Sequence, residues 1–65
     1  MKLTFRDRLW EITWSDGMTA REAVLAAGLR MGVDVHAWRG GKILRPGDEV
    51  RPDDTIKLTT VFHGG

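Results

Sequence analysis

A single helix start constrains this chain more than any other feature. Thr19-Ala20-Arg21-Glu22 has the spacing of a capping box. In that motif the Thr19 hydroxyl takes the Glu22 amide, and the Glu22 carboxylate reaches back to the Thr19 amide. The helix it opens is expected from Ala20 to about Ala27, with Gly28 as its C-cap and Leu29 packing behind. Its apolar stripe of Ala20, Ala23, Val24 and Ala27 is narrow and made of small side chains, with Leu25 at the edge. Such a helix can cover one face of one sheet, leaving room beneath it for bulky residues. The strands before and after it must therefore share that sheet.

The flanking segments alternate with a period of two. Leu3 and Phe5 alternate with Lys2, Thr4 and Arg6, and Trp10, Ile12 and Trp14 alternate with Glu11 and Thr13. A two-residue loop at Asp7-Arg8 would pair Phe5 with Trp10 and Leu3 with Ile12, leaving Leu9 as the one large apolar residue on the other face. Val33–Arg39 reads as a third strand of ambiguous parity, with either Val33, Val35 and Ala37 or His36 and Trp38 inward. Gly40-Gly41 is a hairpin signal before a short strand, Lys42–Leu44. Arg45-Pro46-Gly47-Asp48 is placed for a type II turn, and Arg51-Pro52-Asp53-Asp54 for a second turn. Thr55–Phe62 then closes the chain, with Ile56, Leu58, Thr60 and Phe62 on one face and Lys57, Thr59 and Val61 on the other.

Strand, strand, helix, strand, short strand, strand is the order of an α+β β-grasp, the ubiquitin-like fold. A mixed sheet of four to five strands wraps round one helix, with the first and last strands adjacent and parallel. Residues 1–62 form that domain and 63–65 a tail, since two glycines carry no side chain to pack. The expectation is that this tail carries a carboxylate at Gly65.

Composition narrows the chemistry. Sixty-five residues allow one domain, which buries only about 60% of its unfolded surface and has little depth for an active site. A net charge of +1 gives no strong pull toward nucleic acid or membrane. With no cysteine, the chain forms no disulfide and carries no sulfur as a persulfide. No apolar run nears the roughly 20 residues of a membrane span, and no signal-peptide pattern is seen, so a cytoplasmic setting is the expectation. His36 and His63 lack metal-ligand spacing, and Asp53-Asp54 is explained by its turn.

Val50–Gly65, with its acidic turn, apolar pair and terminal Gly64-Gly65, resembles the end of the small ubiquitin-like sulfur carriers. Those serve thiamine synthesis, molybdopterin synthesis and tRNA thiolation. Ala37–Lys42 resembles their middle hairpin, and the Thr19–Leu29 helix falls at the matching place. The short middle segment looks most like the bacterial tRNA-thiolation carriers. His63, where small or polar residues are common, and the three tryptophans depart from the family pattern.

The resemblance implies a carrier rather than an enzyme. A ubiquitin-activating-like adenylating enzyme, using ATP and Mg, would activate the Gly65 carboxylate. A sulfur donor (cysteine desulfurase or rhodanese-like) would supply a persulfide to make a thiocarboxylate. A tRNA thiolase or a thiazole or molybdopterin synthase would accept the sulfur. No cofactor would be held by the chain itself. The alternative is a protein modifier joined through Gly65 to lysines. Gly65 has no β-carbon to obstruct attack at its carbonyl, and Gly64 keeps the tail narrow. An extended tail of three residues reaches about 10 Å. His63, in the tail beside the reactive end, and Phe62, just before the tail, are candidates for contact with the partner enzyme. Val61 and Leu9 face away from the expected core and, with Trp38 or Leu44, are candidates for a partner-docking patch, rimmed by Arg39, Arg45 and Arg51.

Overall fold

Two strands that are distant in sequence run parallel at the centre of the sheet. β1 (Lys2–Phe5) lies beside the last strand, β5 (Thr55–Thr60), with Leu3 level with Ile56 and Phe5 with Leu58. β2 (Arg8–Glu11) pairs with β1. β3 (Val35–Arg39) pairs antiparallel with β5, and β4 (Lys42–Ile43) with β3. The order is β2-β1-β5-β3-β4, and one helix, α1 (Ala20–Ala26), packs on one face. This is the expected α+β, β-grasp-like arrangement. The structure, a computed structural model, describes residues 1–61.

The N-terminal hairpin keeps its expected faces but not its expected register. The turn is Arg6-Asp7 rather than Asp7-Arg8, so Leu3 faces Trp10 and Phe5 faces Arg8. The change moves every pair by two, and a two-residue shift preserves parity. Leu3, Phe5, Trp10 and Ile12 therefore still share the helix side, so hydrophobic alternation could not choose between the registers. The observed one lets Met1 close the ladder on Ile12, with bonds of 2.8 and 3.1 Å. It also frees Trp14 to leave the strand and donate its indole N–H to the Val50 carbonyl at 2.8 Å. Arg6 takes a left-handed φ of 58° to make the turn.

The helix forms as its sequence dictates. The Thr19 amide donates to Glu22 Oε1 at 3.0 Å, and the Glu22 amide donates to Thr19 Oγ1 at 3.3 Å. The Thr19 amide, then the Thr19 hydroxyl, hold the Glu22 carboxyl below its ordinary pKa. Ala27 is the C-cap. Gly28 turns left-handed at φ 80°, and the amides of Gly28 and Leu29 return to the Leu25 and Val24 carbonyls, a Schellman closure. Ala20 and Arg21 donate their amides to the carbonyls of Asp48 and Pro46, which satisfies two of the free N–H groups at the helix start.

Leu3, Val24, Val35 and Ile56 are the largest fully buried side chains, joined by Ala20, Ala23, Ala37 and Leu58. Phe5, Trp10 and Trp14 are only half-buried against this cluster. The small helical residues thus admit aliphatic neighbours at the centre, and the aromatics flank it. The parity of β3 resolves with Val35 and Ala37 inward. Val33 lies before the strand and is exposed. Leu44 is buried, because its amide bonds to Ala37 and carries it onto the core side.

Arg45–Asp48 and Arg51–Asp54 are the same turn made twice. In each, the arginine amide donates to the carboxylate three residues on at 2.8 Å, and the aspartate amide returns to the arginine carbonyl. Gly47 does not take a positive φ, so the first turn is not type II as expected. The aspartate side chain stabilises the turn without help from a left-handed glycine.

Candidate partner interface

The sheet face opposite the helix carries one residue from each strand in a straight row. Register alone sets it: Leu9 is opposite Thr4, Thr4 level with Lys57, Lys57 opposite Trp38, and Trp38 opposite Ile43. At about 4.8 Å per strand the row is about 19 Å long. Leu9 and Ile43 are 57% and 49% exposed at its two ends. Trp38 is half-buried, and its indole N–H donates to Thr59 Oγ1 at 2.9 Å, which fixes the ring beside Lys57. Trp38, Lys57, Thr55 and Thr59 line a groove of ≈ 450 Å³ with Gly40 and Gly41. The glycines have no side chains to close it.

Leu9 and Trp38 therefore share the row, but Thr4 and Lys57 stand between them. Val61, the other patch candidate, is not in this row. It lies past the end of β5, where its amide bonds to the Asp34 carbonyl at 3.2 Å. Asp34 works twice there. Its carboxylate also receives the Arg30 side chain and the Arg30 amide, at 3.3 and 2.8 Å, and these bonds hold it below its ordinary pKa. The end of β5 is thus pinned to a braced turn. Parallel pairing puts the Arg6-Asp7 turn at the same end. The expected roles of Phe62, His63, Gly64 and Gly65 fall outside the described residues.

Arg39 does not join a free basic rim. Its guanidinium donates to Asp54 Oδ2 at 2.6 Å and to the Glu49 carbonyl at 2.9 Å, so it ties β3 to the turn before β5. Leu44, also considered for the patch, is in the core. Sequence reading missed Ile43 and Lys57. Ile43 was legible, since a two-residue loop at Gly40-Gly41 sets it opposite Trp38. Lys57 needed the parallel β1–β5 register, which no local signal encodes. Among the described residues, no three His, Cys, Asp or Glu side chains gather as a metal site, and no helix is long and apolar enough to cross a membrane. A larger groove, ≈ 620 Å³, lies at the end of the sheet where β5 begins, between Met1–Lys2, Glu11–Thr13 and Pro52–Thr55.

No family model, curated protein or solved structure matches this chain.

Proposed function

We infer that this protein is a ubiquitin-like sulfur carrier, active in the cytoplasm and not itself an enzyme. One observation carries the reading. The central strand β5 runs parallel to β1, and Val61, just past its last residue Thr60, is pinned to Asp34 immediately before Phe62-His63-Gly64-Gly65 in the sequence. A sheet braced at Val61, followed in the sequence by Phe62-His63 and two residues without side chains, suits presentation of a carboxylate to another protein.

The Gly65 carboxylate attacks the α-phosphorus of ATP on an adenylating enzyme, giving an acyl-adenylate and pyrophosphate. A persulfide from the sulfur donor attacks the acyl carbon and AMP leaves. A second thiol then cleaves the resulting acyl disulfide, releasing the thiocarboxylate and forming a disulfide on the partner. Delivery to a tRNA base or a cofactor precursor returns the carboxylate. The chain contributes no thiol of its own, so none competes for the adenylate. The outer row, with Trp38 and Lys57 at its centre, is the surface on which the adenylating enzyme would dock.

The test is intact mass of the protein recovered from its native host, beside a form lacking Gly65. A sulfur-for-oxygen mass increase at a terminus ending in Gly65 supports the carrier. Adducts to lysines of other proteins would replace this reading with a protein modifier. An unmodified terminus, with full activity after Gly65 removal, overturns both.

A further inference from the structure

The two edges of the sheet differ. β4 spans two residues and is followed closely by Pro46, an edge that offers little for pairing. β2 spans four residues and contains neither proline nor lysine. Its hydrogen-bond phase follows from its ladder to β1. Met1 and Ile12 exchange both backbone bonds, so they form a hydrogen-bonded pair. Such pairs alternate along an antiparallel ladder. Trp10 and Arg8 therefore bond toward β1, and Leu9 and Glu11 direct their N–H and C=O groups away from it. Among the described residues, no backbone bond outside the ladder reaches either residue.

We propose that this edge pairs with the same edge of a second copy, antiparallel about a two-fold axis at Trp10. That register sets Leu9 opposite Glu11 of the second copy, and Glu11 opposite its Leu9. All four outward groups on each strand are then used within β2 itself. The faces also match. Arg8 falls opposite Ile12 of the second copy and Trp10 opposite Trp10, all on the helix side. Trp10 occupies the close, non-hydrogen-bonded position in which aromatic cross-strand pairs contribute most. Arg8 already lies over its own Trp10 ring, 4.7 Å from guanidinium carbon to centroid, and is positioned to cover the paired indoles. No like charges are opposed. Centring the axis on Leu9 instead would set Asp7 against Glu11 and keep only two of the bonds within the strand. Self-pairing therefore selects one register. The product is a continuous ten-stranded sheet with a helix pair on one side. The proposal does not depend on the fate of Gly65.

A seam of four residues buries less than the ~1,200 Å² of a standard interface, so the dimer is weak and its population follows concentration. Sedimentation of the full chain should show mass rising from monomer at about 1 μM toward dimer at about 1 mM, the range of a weak complex. Leu9→Pro removes an outward N–H without touching the β1 ladder, and should abolish that rise while circular dichroism stays native. The chain has no cysteine, so single cysteines report register without background. A mixture of Leu9→Cys and Glu11→Cys chains should oxidise to the heterodimer in excess over either homodimer. Opposed residues of a hydrogen-bonded pair lie about 5.5 Å apart, within disulfide reach, and the diagonal positions do not. A chain monomeric at about 1 mM, Leu9→Pro dimerising like the parent, or a prevailing Leu9→Cys homodimer would each overturn the proposal.

Discussion

Arg39 Nη2 and Asp54 Oδ2 meet at 2.6 Å, joining the end of β3 to the residue just before β5. Asp54 is 12% exposed at its side chain and also receives the Arg51 amide. One carboxylate thus shapes a turn and anchors a strand two elements away. The same guanidinium donates to the Glu49 carbonyl, so three segments converge on it.

Removing either partner deletes the charge-assisted bond between them, at a carboxylate that is largely covered. Arg39→Ala is expected to destabilise the domain by about 1–3 kcal/mol, a fall in Tm of about 4–8 °C per kcal/mol for a domain this small. Urea unfolding followed by tryptophan fluorescence measures it. Arg39→Lys, which keeps the charge but loses the planar fork, should recover only part of the loss.

The same pair sets a pH dependence. Burial pushes the Asp54 carboxyl up, but the Arg39 hydrogen bond, the Arg51 amide and both guanidinium charges outweigh it and hold the pKa below the ordinary value. A carboxyl lowered by folding contributes stability above its unfolded pKa and loses it as pH falls through the folded one. Stability should therefore decline from the ordinary aspartate range downward. Asp54→Asn should flatten that decline while lowering stability at neutral pH. An unchanged acid limb in Asp54→Asn would assign the effect to other carboxyls.

Arg6 holds the hairpin turn in a left-handed conformation that costs a non-glycine residue about 1 kcal/mol. Arg6→Gly should relieve it and raise stability by about 0.5–1 kcal/mol. The offset from losing the Arg6 guanidinium 5.2 Å over the Phe5 ring is expected to be smaller at this exposed site. Chemical denaturation compares the two. A destabilised Arg6→Gly would mean that the contact with Phe5 outweighs the turn.

The architecture was legible because its signals are local and agree. The Thr19–Glu22 box fixes where the helix starts, the Gly40-Gly41 loop fixes β3 against β4, and Ile56 and Leu58 mark the inner face of β5. What failed was what local pattern cannot encode. The hairpin register moved by two because both registers bury the same residues, and the choice lay with Met1, Trp14 and the Arg6 turn. The outer row was seen only in part, since Lys57 joins Thr4 through a parallel pairing made across most of the chain. Arg39 read as rim charge because Asp54 is fifteen residues away.

Docking of an activating enzyme on the outer row predicts separable effects. Trp38→Ala and Lys57→Glu should each raise the carrier concentration for half-maximal activation about tenfold, ~1.4 kcal/mol. The rate at saturation should hold, since both residues are assigned to docking and not to the activation step. Trp38→Phe keeps an aromatic ring, smaller than the indole, while losing the bond to Thr59, and should fall between. Equal losses at saturating and limiting carrier would place these residues outside the docking surface.

The central claim concerns the Gly65 carboxylate. ATP–pyrophosphate exchange catalysed by the cognate adenylating enzyme tests it most directly, with the full chain set beside one ending at Gly64. Exchange that requires this chain and vanishes without Gly65 is the expected result. No exchange with the authentic partner, or equal exchange from the shortened chain, would contradict the account.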